Sequence, residues 1–157
     1  MSGKSWSAAT NFIRLLLNGV NWANVADNAM TAPYTNLYVS LHTADPGDGG
    51  NPTTNEVNTT QYVEYVRQAQ TRNGAVWSLV NSNSEAMYFH PATTINFPIT
   101  GAGGTGCTIT HFALGFSASG ATPLFLYSGV ITPSIVLPPN VAGYIPSIGV
   151  ASRIFEN

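Results

Sequence analysis

The chain has 157 residues, fits one domain, and is long enough to bury roughly 70% of the surface that its unfolded form exposes. Only 8% of its residues are Asp, Glu, Lys or Arg, against about 25% in an ordinary soluble domain, and the net charge is −2. Its five basic residues, Lys4, Arg14, Arg67, Arg72 and Arg153, form no stripe able to neutralise several phosphates, which argues against direct nucleic-acid binding.

Asn, Thr and Ser number 15, 17 and 13, which predicts a neutral, hydrogen-bonding exterior or one covered by neighbouring subunits. The single cysteine, Cys107, excludes an intrachain disulfide and any multi-cysteine zinc site, and it reads as a small buried hydrophobe. No apolar run reaches the ~20 residues of a membrane span. The segment "NFIRLLLNGV" carries a charge inside what would be the apolar region of a signal peptide, so folding in the cytoplasm where the chain is made is expected.

Residues 5 to 18 place Trp6, Ala9, Ile13, Leu16 and Leu17 at helical spacing, with Ser5 or Ser7 as N-cap and Gly19 as the stop. Phe12 and Leu15 widen the apolar face, so the helix is expected to be covered on two sides, either by its own domain and a neighbour or by its own domain alone. The chain then changes period: "NLYVSLH" sets Leu37, Val39 and Leu41 against Tyr38, Ser40 and His42, a strand with one apolar face. "TADPGDGGNPTTNEVNTT" follows as a long loop.

Strand-like segments recur at "YVEYVRQAQT", "AVWSLVN", "AMYFH", "TTINFP", "TITHFALGF", "PLFLYSGVI" and "YIPSIGVAS". No internal repeat or heptad pattern appears. The expected fold is mainly β, an antiparallel sandwich or barrel with a jelly roll among the candidates, carrying one N-terminal α-helix over 1–19 of a single domain 1–157.

Each chemical motif has a plainer explanation. Gly101, Gly103 and Gly106 fit G-x-G-x-x-G, but the β-branched segment that leaves them predicts a strand, where a dinucleotide site needs a helix. They are read, with Gly104, as a strand-joining loop at a tip or against a neighbouring chain. His42, Asp45 and Asp48, which His90 and His111 could join through space, match no metal-ligand spacing, and the first three are read as turn residues. "GFSASG" lacks the final glycine of a nucleophile elbow, and no acidic residue has an identifiable raised-pKa partner. The expectation is no enzyme, no cofactor and no metal. The aromatic residues are assigned to a core or an interface.

Taken in order, "LYVSLHTADPGDGG", "NEV", "YVRQAQTRNGAVW" and "INFPITGAGGTGCTITHFALGFSASGATPLFLYSGVITPSI" resemble a family of small structural proteins of tailed bacteriophages, often labelled tail-fibre-like. The resemblance runs from about Phe12 to Ile148. It implies a β-rich component of the virion, with no catalytic residues and with other virion proteins, major capsid or tail, as partners. Compactness without repeats favours a capsid decoration or cement protein, assembled as a homo-oligomer. A short tail-fibre or tail-tip module is the alternative, and a carbohydrate-binding module for the host surface is an alternative of another class. The interface candidates are Phe12, Ile13, Leu16 and Leu17 on the helix, and Gly101, Gly103, Gly104 and Gly106 in the loop.

Overall fold

A computed structural model describes residues 6–21, 34–47, 49, 51–81, 87–122, 125–149 and 154–156. The chain is mainly β, its sheets are antiparallel, and among the described residues none closes into a barrel. It divides into two units, one of residues 1–36, 71–93 and 149–157, the other of residues 37–70 and 94–148.

The first unit holds helix α1 (Trp6–Ile13), continued by a π-helical turn over Arg14–Asn18. Ile13 and Leu17, four residues apart, are buried on one face, while Phe12 lies about 100° round the helix and is 38% exposed. The sequence predicts a regular helix through residue 18; the structure widens its last turn. Gly19 ends it in the left-handed conformation (φ 64°), and its N–H returns to the Arg14 carbonyl. The guanidinium of Arg72 then donates to the carbonyls of Leu15, Leu16 and Tyr34. The first two are among the acceptors that a helix end leaves without an intrahelical partner, and a cation there also suits the helix dipole. Arg72→Ala is therefore expected to cost about 1.5–3 kcal/mol, the range for hydrogen bonds to a charged group. Urea unfolding checks this, and Arg72→Lys should recover only part of the loss because the ammonium donors radiate from one atom, whereas Arg72 reaches the three carbonyls from three separate nitrogens.

The same unit carries the strands β3 (Trp77–Asn81), β4 (Met87–Pro91) and β9 (Ile154–Glu156), in the order β3-β4-β9. Trp77 stands opposite Pro91, and Phe89 stands opposite Ile154. Trp77 and Phe89 are buried. Asn73 starts the turn into β3, its side-chain oxygen accepting from the N–H groups of Ala75 and Val76. Strand β9 has no counterpart among the predicted elements.

The second unit is built on the sheet β2-β1-β6-β7, made of β1 (Asn36–His42), β2 (Gln68–Thr71), β6 (Cys107–Gly115) and β7 (Tyr127–Leu137). The expected alternation of β1 holds for Leu37, Val39 and Leu41, which are buried, but Ser40 and His42 on its other face are buried as well. The reason is position. β1 is an inner strand, between β2 and β6, and its far end pairs with the loop through Thr43 N–H to Asn55 carbonyl and Val57 N–H to Leu41 carbonyl, both 2.9 Å.

β2 is much shorter than the predicted segment. Asn58 imposes a turn first: its side-chain oxygen caps the N–H groups of Thr60 and Gln61, and its carbonyl accepts from Tyr62 N–H. Tyr62 and Tyr65 leave that turn into the core, where the Tyr65 ring stacks on Phe97 with centroids 6.4 Å apart and planes 9° from parallel. The Tyr62 hydroxyl donates to the Pro98 carbonyl. Burial, with Glu64 nearby, pushes its pKa up to about 12.

β7 runs six residues beyond its predicted end, through Pro133, which an edge strand tolerates. Its pairing with β6 slips between Ile109 and His111, so residues 131–134 bulge opposite Thr110. A bulge and a proline are ordinary protections of an exposed sheet edge. β5 (Ile95–Asn96) and β8 (Ser147–Ile148) form a short ladder, extended by Phe97 N–H to Pro146 carbonyl and Thr100 N–H to Tyr144 carbonyl.

Candidate functional site

The glycine-rich segment joins β5 to β6, so a strand leaves it as expected from the sequence. Gly103 and Gly106 have φ of 97° and 72°, in the region that favours glycine. Gly104 and Gly106 lie against backbone of their own chain. A Cβ at Gly104 would stand 2.6 Å from the Gln61 carbonyl oxygen, and one at Gly106 2.4 Å from that of Leu137. The loop is tied there by Thr105 N–H to Thr60 carbonyl, Gly106 N–H to Gln61 carbonyl, and Asn140 N–H to Gly104 carbonyl. Gly103, by contrast, is exposed and a Cβ on it would meet open space, while at Gly101 a Cβ would touch only the flexible Glu64 side chain. The interface candidates thus fall in two places: Phe12, Ile13, Leu16 and Leu17 in the first unit, and the four glycines in the second.

The densest polar arrangement in the second unit is one that motif spacing does not reveal. Glu56, at the end of the long loop, and Arg67, just before β2, form a two-pronged ion pair: Nε to Oε1 and Nη2 to Oε2, each 2.7 Å. Their side chains are 13% and 4% exposed. Arg67 also donates to the carbonyls of Ser117 (3.1 Å) and Gly120 (2.9 Å), which fastens the loop after β6. The Tyr65 hydroxyl donates to Glu56 Oε1 at 2.8 Å and accepts the Leu41 N–H at 3.1 Å. Burial first, then the neighbouring Glu56 carboxylate, raises its pKa well above the ordinary value. The Glu56 carboxylate acts in the same direction on Arg67, its hydrogen bonds holding the guanidinium more firmly protonated. The one signal in the sequence is scarcity: in a chain with 12 charged residues, two opposite charges flank one turn-rich stretch.

Beside this pair, His42 is buried with both ring nitrogens engaged. Nδ1 lies 2.8 Å from the Thr54 carbonyl, which can only accept, so Nδ1 carries the proton and Nε2 accepts from Ser40 Oγ at 2.8 Å. Serine and histidine in this relation are the start of a nucleophilic pair, but both are buried within β1 and the acceptor on Nδ1 is a neutral carbonyl. The pair acts as a strap between β1 and the Thr54 loop. Asp45 serves a turn, accepting from Gly47 N–H at 2.8 Å; Asp48 lies outside the described residues. Among the described residues, no three His, Cys, Asp or Glu side chains cluster to hold a metal.

Burial depresses the His42 pKa below 6.5, outweighing the Thr54 bond and Glu56, which raise it; Arg67 and His111 push it further down. The folded state therefore binds this proton less readily than the unfolded chain. The His42 contribution to stability is complete above pH 6.5, falls as the pH drops through 6.5, and levels off below the depressed folded value. Urea melts at pH 7.5 and pH 5 are expected to show lower stability at pH 5, by about 1.4 kcal/mol per unit of depression. His42→Gln should flatten that dependence; an equal slope in the variant would count against the assignment.

Antiparallel sheets, tied by buried polar straps and, among the described residues, by one two-pronged ion pair, make this a mainly β protein. Residues 8–138 match the family model described as Podophage GP4 fiber I protein gp80, and the chain belongs to that family. The expected kinship with tail-fibre-like structural proteins of phages is borne out. No curated protein matches the chain. Among the described residues, no helix is long and apolar enough to cross a membrane.

Proposed function

We propose that the chain is a non-enzymatic module of a tailed-phage fibre, attached in the virion to other fibre or tail proteins and to further copies of itself. The family match over 8–138 carries this reading and favours the fibre over the shell-cement role that compactness alone suggests. The polar straps support it, because the conspicuous ionisable groups of the second unit serve intrachain bonds. A fibre module has to hold its shape under load, and multipoint bonds that fasten loops to a sheet suit that task.

The test is localisation. Antibody labelling and copy-number measurement on intact particles are expected to place a small number of copies at the tail. Particles lacking the protein should lose host attachment while releasing their genome at an unchanged temperature. Hundreds of copies on the shell, with a lowered release temperature in their absence, would replace this reading with the cement role.

A further inference from the structure

The turn at Asn58 and the loop after β6 border a groove of about 330 Å³, at the lower end of the ~300–1,000 Å³ typical of ligand clefts. All of its lining lies within the second unit. Its charged lining residues are Glu56 and Arg67, which neutralise each other, so neither an anion nor a cation finds an unopposed counter-charge. Four of the five guanidinium N–H groups of Arg67 are committed at 2.7–3.1 Å, leaving one on Nη1, and the 13% exposed Glu56 carboxylate retains lone pairs. Thr59 and Ser119 add hydroxyl groups, while Val66, which is 55% exposed, and Ala118 add C–H surface.

A neutral ligand with many hydroxyl groups and an apolar face matches this lining. The geometry points to a subsite for one neutral sugar residue, in the groove between Thr59 and Ala118. The fibre reading supplies only its setting: sugar binding is measured on the isolated chain and location on the particle, so the two can fail separately.

The experiment is an amide chemical-shift titration of the full chain with glucose, galactose and N-acetylglucosamine, at concentrations that read a Kd on the order of 1–10 mM. At least one sugar is expected to move the amides of Thr59, Ser119 and Gly120, and the hexose and N-acetyl arms distinguish the two kinds of sugar. Thr59→Trp and Ala118→Trp, at exposed positions that leave the core untouched, should each weaken binding at least about tenfold. Ala102→Trp, in the glycine-rich loop, should leave binding unchanged. Absence of binding by all three sugars, unchanged affinity in both groove variants, or tighter binding of inorganic phosphate than of any sugar would overturn the assignment.

Discussion

Arg67→Met is expected to destabilise the chain by about 3–5 kcal/mol, a large part of the ~5–15 kcal/mol that holds a typical domain folded. The cost comes less from the lost attraction than from what remains. Glu56, 13% exposed, would keep its charge with only the Tyr65 hydroxyl, among the described residues, left as a side-chain donor, and the carbonyls of Ser117 and Gly120 would lose their guanidinium. Glu56→Met should cost a comparable amount, because it strands the cation instead. The double variant Glu56→Met with Arg67→Met should be more stable than either single one, since no buried charge is then left unpaired. Denaturant melts of the four proteins form a double-mutant cycle. A single-variant loss under about 1 kcal/mol would mean that the pair behaves as a solvated surface bridge.

What could be foreseen from the sequence divides along physical lines. β1 was legible to the residue because alternation of Leu37, Val39 and Leu41 registers directly in an apolar period of two. β6 was nearly as clear, starting at Cys107, one residue before its predicted segment. β2 was overextended because Tyr62 and Tyr65 look like strand residues, while the Asn58 turn that turns them into the core is a local hydrogen-bond competition that hydrophobicity does not register. The outward run of β7 past Pro133 depends on its being an edge, a fact of topology. The polar cluster was the least legible part. Glu56, Tyr65 and Arg67 converge on β1 only after the loop 43–60 folds back on it, and His42, weighed as a metal ligand, owes its role to a carbonyl twelve residues away.

Gly106→Ala should be the most damaging small substitution in the glycine-rich loop, at about 2–5 kcal/mol. Two costs add there: a side chain at φ 72° pays roughly 1–2 kcal/mol for the left-handed conformation, and an overpacked contact adds about 1–3 kcal/mol. The contact cannot relax cheaply, because the atoms in the way are backbone: the Leu137 carbonyl oxygen at 2.4 Å and Pro139 nitrogen at 2.7 Å. Gly103→Ala, at φ 97° but with nothing near its Cβ, should lose only the conformational part, about 1–2 kcal/mol. Gly101→Ala should be nearly neutral, since the flexible Glu64 side chain can move aside. Urea unfolding of the three variants checks the ranking, and a Gly106→Ala protein within about 0.5 kcal/mol of wild type would contradict it. The ranking also separates two roles within one loop. Gly104 and Gly106 are committed to intrachain packing, so their variants lose particle incorporation only through lost folding. We propose the exposed tip at Ala102 and Gly103 as the part of the loop that meets a neighbour, and a stable Ala102→Trp protein that no longer enters particles is the expected signature of contact there.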